Sequence, residues 1–490
     1  MARALAVLGS ASGVGKSLVA TALCRLLSDA GIDVAPFKAQ NMGNQAGVTP
    51  DGLEMARAQI LQAAACWIPP HVDMGPVLMK PVTSTSAQIV VLGKAIGQRE
   101  ASDYFKDTAA LSILALAALD RLAARHRAIV IEGAGSPVEL NLMDRDYVNL
   151  RPARHLDAAI VLVTDIDRGG VFAQAKGTMD LMPPEDRARV MGIVVNRFKG
   201  DAALFADGIG MLETLCDVPV LAVIPHVDHA LDEEDGPIRI PIDRRGAEGT
   251  LKIGAVLSPR VSNTEDLAPL LAERDAHVSW ITDPTLIAEQ DLVVLPGSKA
   301  TLADLAHHTA SGMAEAIRDA AARGTWVAGI CGGFQMLGEM LHDEAGTEGG
   351  PASWTGLGLL PIRTVFRAEK STVQSAFVSS WPVAGQRLDG YEIHHGRSES
   401  TGGGEPLFLD AGGEAGWRAG RAFGSYLHGL FGNDAWRGAM LNRVRRDRGL
   451  PEQPAQRADP VSLRIDRWAE HVRRSMTRRA WERIAARARG

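Results

Sequence analysis

Cysteine is scarce: the chain of 490 residues has 4, at Cys24, Cys66, Cys216 and Cys331, with no CxxC pair and no His/Cys cluster. This scatter excludes a disulfide framework and a structural zinc site, and a reducing cytoplasm is the expected location. Also lacking is any long uninterrupted apolar run, so no membrane span is expected. The apolar start, Met1-Ala-Arg-Ala-Leu-Ala-Val-Leu, is short and leads straight into a glycine-rich loop. It reads as a first strand rather than a signal peptide. There is no basic excess: the formal net charge is -6 and the pI about 6.1, which argues against a nucleic-acid binder. Internal repeats and low-complexity segments are absent.

Hydrophobic residues make up 46% and charged residues 22%, as in globular proteins, and the length asks for two or three domains. Short apolar runs alternate with helix-like segments. Ala4 to Leu8, Ile32 to Phe37, Ala128 to Ile131, Ala158 to Val163, Gly192 to Val195 and Val220 to Ile224 read as strands. Leu18 to Leu27 has helical spacing, with Gly31 as its stop. Such alternation predicts an α/β fold with a mainly parallel sheet. The texture changes around Asp232-Glu-Glu-Asp-Gly, Pro237, Pro241 and Arg244. Another α/β series follows, with strands at Ile253 to Leu257, Val278 to Ile281, Leu292 to Leu295 and Trp326 to Ile330. The expected division is a P-loop domain over 1–230, a linker over 231–250, a second α/β domain over 251–440 and a basic helical tail over 441–490. Leu463, Trp468, Val472, Met476 and Trp481 mark a tail helix expected to pack on the second domain.

Gly9-Ser-Ala-Ser-Gly13-Val-Gly15-Lys16-Ser17 follows a strand and opens a helix. Unpaired amides at a helix N-terminus bind phosphate, glycines admit close approach, and the lysine supplies charge. The loop departs from GxxxxGK[ST] in having Ser10 where the first glycine is usual, with Gly9 one residue earlier. The expected ligand is ATP with Mg²⁺, the ion meeting the Ser17 hydroxyl. Glu132 ends a buried strand before glycines, where ligands gather in open α/β sheets, and is expected at the metal. Lys38 is placed to meet a phosphate, with a solvated loop lysine as the alternative. Asn196, after another strand, is a candidate for the base.

Gly329-Ile-Cys331-Gly332-Gly333 is a strand, a sharp turn and a helix start, the geometry that presents a nucleophile. The helix N-terminus activates the thiol and offers the Gly332 amide to an oxyanion. Gly297, in Pro296-Gly-Ser298, offers a second amide. His428, in Gly424-Ser-Tyr-Leu-His-Gly429, is the natural base for Cys331. His394 and His395 compete for that role. Cys24, Cys66 and Cys216 have no elbow around them.

These residues resemble the cobyric acid synthases, the glutamine-dependent amidotransferases of cobalamin biosynthesis. The likeness rests on Lys38-Ala-Gln-Asn-Met-Gly-Asn-Gln-Ala46, Ile131-Glu-Gly-Ala-Gly-Ser-Pro137, Asp144-Arg-Asp146 and Asp165-Ile-Asp-Arg-Gly-Gly-Val-Phe172. In the C-terminal half it rests on Leu295-Pro-Gly-Ser-Lys299, Gly329 to Gln335, Gly390-Tyr-Glu-Ile-His-His-Gly-Arg397 and Tyr426-Leu-His-Gly-Leu-Phe431. The N-terminal half is also similar to dethiobiotin synthetase, which shares the displaced glycine. The C-terminal half resembles a class I glutamine amidotransferase domain. Such domains usually have a glutamate two residues after the histidine; Leu430 stands there, so no third member of a triad is identified.

The resemblance implies ATP- and glutamine-dependent amidation of the b, d, e and g carboxylates of adenosylcobyrinic acid a,c-diamide. Glutamine, ATP and the corrinoid are then substrates, with no permanently bound cofactor and no nucleic-acid or membrane partner. Asp144, Asp146 and Arg168 lie in loops that are candidates for the corrinoid. Ammonium is no nucleophile, so a sheltered route for ammonia is expected. The alternatives are cobyrinic acid a,c-diamide synthase and, in another class, a deviant P-loop ATPase switch, against which the Cys331 elbow argues.

Overall fold

The computed structural model describes residues 2–82, 85–100, 108–227, 229, 231, 250–348, 352–409 and 415–489. Most of the expected 231–250 linker lies outside the described residues. The chain forms two compact units: Met1–Gly43, Glu54–Pro237 and Asp459–Gly490 make up one, Asn44–Leu53 and Ile238–Ala458 the other.

The first unit is built on a six-stranded sheet in the order Val220–Pro225, Val190–Phe198, Ala159–Asp165, Arg3–Gly9, Ala128–Glu132, Val34–Phe37. Every pairing in it is parallel. Its central strands are buried on both faces, and that is why they are near-continuous apolar runs. The register sets Val7 beside Glu132 and Gly9 beside Val163, so the carboxyl ends of three adjacent strands meet where helix Lys16–Asp29 begins.

A further, four-stranded sheet of Gln40–Met42, Val77–Pro81, Ser86–Val91 and Lys94–Glu100 was not legible in the sequence. Gln40–Met42 is three residues long and Lys94–Glu100 is exposed throughout, so neither carries an apolar signature.

The tail helices Val461–Arg474 and Arg478–Arg489 belong to this first unit, which corrects their expected packing on the second domain. Ile465, Trp468, Val472 and Ile484 share a core with Leu18, Leu23 and Leu27 of the phosphate-loop helix. The Trp468 indole donates to Leu18 O at 2.8 Å. Fully buried Arg25 pairs with Asp466 at 3.0 Å. Amphipathic spacing shows that a helix buries one face, but not what that face meets.

The second unit holds a seven-stranded sheet in the order Ala276–Ile281, Leu251–Val256, Leu292–Leu295, Trp326–Ile330, Ala422–Ser425, Gly416–Ala419, Glu405–Pro406. Pairings are parallel as far as Ala422–Ser425 and antiparallel beyond it. A long antiparallel pair, Ile362–Val378 with Arg387–Ser400, stands apart from this sheet. Asn44–Leu53, expected within the first domain, belongs here. No helix among the described residues is long and apolar enough to cross a membrane.

Candidate active sites

In the first unit the phosphate loop joins strand Arg3–Gly9 to helix Lys16–Asp29, with Gly13 at φ 69° and Gly15 at φ 93°. Lys16 is buried, and its Nζ donates to Ala11 O at 3.0 Å and Gly135 O at 3.1 Å. A Cβ at Gly9 would stand 2.8 Å from Lys16 Cδ, so glycine there makes room for the lysine stem.

Glu132 is fully buried and gathers around it Ser17 and Lys38, both expected at this site, and Gln62, which was not. Ser17 Oγ donates to Glu132 Oε1 at 2.7 Å, Lys38 Nζ reaches the same oxygen at 2.8 Å, and Gln62 Nε2 donates to Oε2. Burial opposes the charge on Glu132, but Lys38, Ser17 and Gln62 outweigh it and hold the carboxyl below its ordinary range. Lys38 is therefore a buried partner of Glu132 rather than a solvated loop lysine. Among the described residues no group of three or more His, Cys, Asp or Glu could hold a metal ion. An ionised carboxylate beside a hydroxyl nevertheless suits Mg²⁺, which keeps most of its waters and takes few protein ligands.

Other expected residues stand differently. Asn196 is buried and its Nδ2 donates to Val14 O at 2.9 Å, which ties it to the phosphate loop. Asp146 accepts from Val148 N at 2.7 Å and Asn149 Nδ2 at 2.8 Å, and so orders its own turn. Asp144 and Arg168 are exposed.

In the second unit Cys331 sits between strand Trp326–Ile330 and the short helix Gly332–Met336 at φ 50°, ψ -106°. Such a conformation costs a non-glycine residue about 1–3 kcal/mol and persists only where its surroundings impose it. Here Cys331 N donates to Ser425 O at 2.8 Å, and Gly333 N to Pro296 O at 3.1 Å. A Cβ at Gly333 would fall 1.9 Å from Leu295 O, so only glycine permits the turn. The thiol donates to Ile393 O at 3.5 Å. Gly297 pairs with Ser262 in a short antiparallel bridge, and a Cβ on it would lie 3.3 Å from His428 Cε1. A Cβ on Gly332 would stand 2.8 Å from Ser298 N, so both glycines border the elbow.

His428 is buried and lies close enough to Cys331 for the two side chains to interact electrostatically. Its Nδ1 lies 2.7 Å from Asp266 Oδ2, while Asp266 Oδ1 accepts from Gly429 N at 2.7 Å. Burial works against the imidazolium, but the charges of Asp266 and Cys331 prevail and raise His428 well above its ordinary range. Asp266 is thus the orienting group that the sequence did not reveal. It lies 162 positions upstream, in Ser262-Asn-Thr-Glu-Asp266, and no spacing relates it to the histidine. Leu430, where a glutamate is usual, is a core residue.

The competing histidines are engaged elsewhere. His394 Nδ1 meets Gly396 O at 2.7 Å, its Nε2 lies 3.2 Å from Glu392 Oε2, and its ring stacks on Tyr426. His395 Nδ1 lies 3.1 Å from Arg367 O.

Residues 252–436 match the family model of the CobB/CobQ-like glutamine amidotransferase domain, and residues 5–238 that of the CobQ/CobB/MinD/ParA nucleotide binding domain. The chain is 46% identical over 486 residues to the cobyric acid synthase of Chlorobium phaeobacteroides (strain BS1), with 96% of each chain covered. It is 44% identical to that of Chlorobaculum tepidum, again with 96% of each covered. The cobyric acid synthase of Klebsiella pneumoniae is 42% identical over 489 residues, with 96% of each covered.

Proposed function

Since the chain belongs to the cobyric acid synthase family, we propose that it amidates the b, d, e and g carboxylates of adenosylcobyrinic acid a,c-diamide, giving adenosylcobyric acid. The coarser activity follows from membership itself: amidation in cobalamin biosynthesis by an enzyme with a glutamine amidotransferase domain and a nucleotide-binding domain. The observation that carries the proposal is the Cys331–His428–Asp266 arrangement at an elbow.

Cys331 Sγ attacks the carboxamide carbon of glutamine, and the Gly332 and Gly297 amides receive the developing oxyanion. His428 takes the thiol proton and passes it to the departing nitrogen, so ammonia leaves and a glutamyl thioester remains. Water, deprotonated by His428, then cleaves the thioester to glutamate. Asp266 fixes the imidazole ring and favours its protonated form.

At the other site the amides of the Gly9–Ser17 loop and the Lys16 ammonium hold the phosphates of ATP. Lys38, paired with Glu132 at 2.8 Å, is the residue assigned to the transferred phosphoryl group. A substrate carboxylate attacks the γ-phosphorus, ADP leaves, and ammonia displaces phosphate from the acyl phosphate. Ser17 and Glu132 are the residues that would hold Mg²⁺, which when bound neutralises phosphate charge. Asp144 and Arg168, both exposed, are the remaining candidates for contact with the corrinoid.

Purified protein given adenosylcobyrinic acid a,c-diamide, Mg-ATP and amide-¹⁵N glutamine tests the reading by mass spectrometry. One labelled nitrogen gained for each of the b, d, e and g carboxylates is expected. Labelling of the a and c positions of cobyrinic acid, with none on the diamide, would move the assignment to the a,c-diamide enzyme.

A further inference from the structure

The glutaminase unit contains a stretch of chain from far outside its own region of sequence. Asn44–Leu53 belongs to the same compact unit as Cys331 and His428, yet lies outside the matched amidotransferase region, 252–436. In sequence it follows Lys38 and Asn41 closely.

Its contacts fall on the residues around the catalytic histidine. Asn263 meets the backbone of Ala46 with both side-chain atoms: Nδ2 donates to Ala46 O at 3.0 Å, and Oδ1 lies 3.5 Å from Ala46 N. Gln45 Oε1 accepts from Thr264 N at 3.0 Å. These contacts grip the turn whose next residues are Glu265 and Asp266, and Asp266 N donates to Asn263 O at 3.2 Å. Asn263 itself stands at φ 53°, ψ 48°, a left-handed conformation that asparagine tolerates better than most residues.

Another line of contact runs through Tyr391. Its hydroxyl accepts from Asn263 Nδ2 at 2.9 Å, lies 2.8 Å from Glu265 Oε1 and 3.1 Å from Ala46 O. Its ring stacks on His428 with centroids 5.1 Å apart. Backbone hydrogen bonds tie the two residues in both directions, Tyr391 N to His428 O at 3.1 Å and His428 N to Tyr391 O at 2.9 Å. One clasp therefore fixes both what His428 is bonded to and what it is stacked against.

We propose that Gln45 and Ala46, acting through Asn263 and Tyr391, position the Asp266–His428 pair, so that the glutaminase site is complete only with this N-terminal stretch of chain. Asn263 and Tyr391 are positioning residues: neither touches the reacting carboxamide, and their effect is exerted on the ring that does. The proposal rests on the glutaminase reading given above.

The test uses the full chain with Gln45→Ala, Asn263→Gly and Tyr391→Phe. Asn263→Gly keeps a left-handed backbone at no steric cost and removes only the side-chain hydrogen bonds. Tyr391→Phe keeps the ring stack and removes the hydroxyl. Glutamate release from glutamine is measured against pH, and amidation with ammonium as nitrogen donor is measured alongside. Asn263→Gly and Tyr391→Phe are expected to lower glutaminase kcat by about tenfold or more. KM for glutamine should stay within about twofold. The alkaline limb of the pH profile should move to lower pH as Asp266 loses its hold on His428, and ammonium-supported amidation should persist. Gln45→Ala should fall between these variants and wild type. Wild-type kcat and pH profile in all three would overturn the proposal, as would a raised KM with unchanged kcat. A wild-type protein whose glutamine hydrolysis survived Cys331→Ala would instead overturn the glutaminase reading.

Discussion

Replacing Asp266 by asparagine removes one negative charge from a pair that excludes water almost completely. The side chains of His428 and Asp266 are 3% and 2% exposed, and the atoms that meet are 2.7 Å apart. Asparagine can keep a hydrogen bond to Nδ1 or to Gly429 N, but it cannot favour the imidazolium. A hydrogen bond to a charged group contributes about 1.5–3 kcal/mol. At 1.36 kcal/mol per decade, that is a loss of about 10- to 150-fold in glutaminase kcat/KM. The pH profile carries the sign. Asp266 raises the pKa of His428, so the protonated ring is kept up to a higher pH in the wild type. In Asp266→Asn the pKa falls towards its ordinary value, and the alkaline limb of glutamine hydrolysis moves to lower pH. Glutamate release is assayed across pH, with ammonium-supported amidation as the control that the other site is intact. A variant with the wild-type rate and an unmoved alkaline limb would refute the role given to Asp266.

Other expectations follow from single contacts. Gly390→Ala would place a methyl carbon 2.2 Å from His428 O; glutaminase activity should drop by more than about tenfold while ammonium-supported amidation continues, as steady-state assays of both would show. Lys38→Met strands a buried carboxylate, which should cost about 3–5 kcal/mol of stability and abolish ATP-dependent amidation even with ammonium; thermal unfolding and product analysis check the two effects. Trp468→Ala empties a site that is 3% exposed, and a loss of about 3–5 kcal/mol should appear as a lower thermal midpoint. Glu348 is pushed up to about 7 by burial, so its contribution to stability is present below its unfolded value and is lost as pH rises through about 7. Glu348→Gln should flatten that dependence in thermal unfolding measured from acid to mildly alkaline pH.

Residues that do chemistry through their own local sequence are the ones visible in it. The parallel strands of both units, the loop up to Ser17, Glu132 at a strand end and the Cys331 elbow each follow from a short pattern whose backbone geometry is forced locally. Asp266 is invisible there because its role depends on a contact between a turn after one strand and a histidine after another. The same holds for Asn44–Leu53, whose place in the second unit comes from hydrogen bonds of Ala46 and Gln45 to residues 217 and 219 positions away. Strand position puts Asn196 towards the carboxyl end of Val190–Phe198, where ligands gather in such sheets. Its amide nitrogen donates to the loop backbone at Val14 O, a contact that side-chain rotation sets and strand position does not. The tail helices show their apolar faces in the sequence but not their partner, which is the phosphate-loop helix.

In the proposed reaction Cys331 releases the nitrogen that the phosphate-loop site installs. The decisive experiment gives Cys331→Ala protein amide-¹⁵N glutamine, Mg-ATP and adenosylcobyrinic acid a,c-diamide, with and without unlabelled ammonium. No labelled product from glutamine is expected, and unlabelled amides at the b, d, e and g positions once ammonium is supplied. Labelled amides formed by Cys331→Ala protein would contradict that reaction.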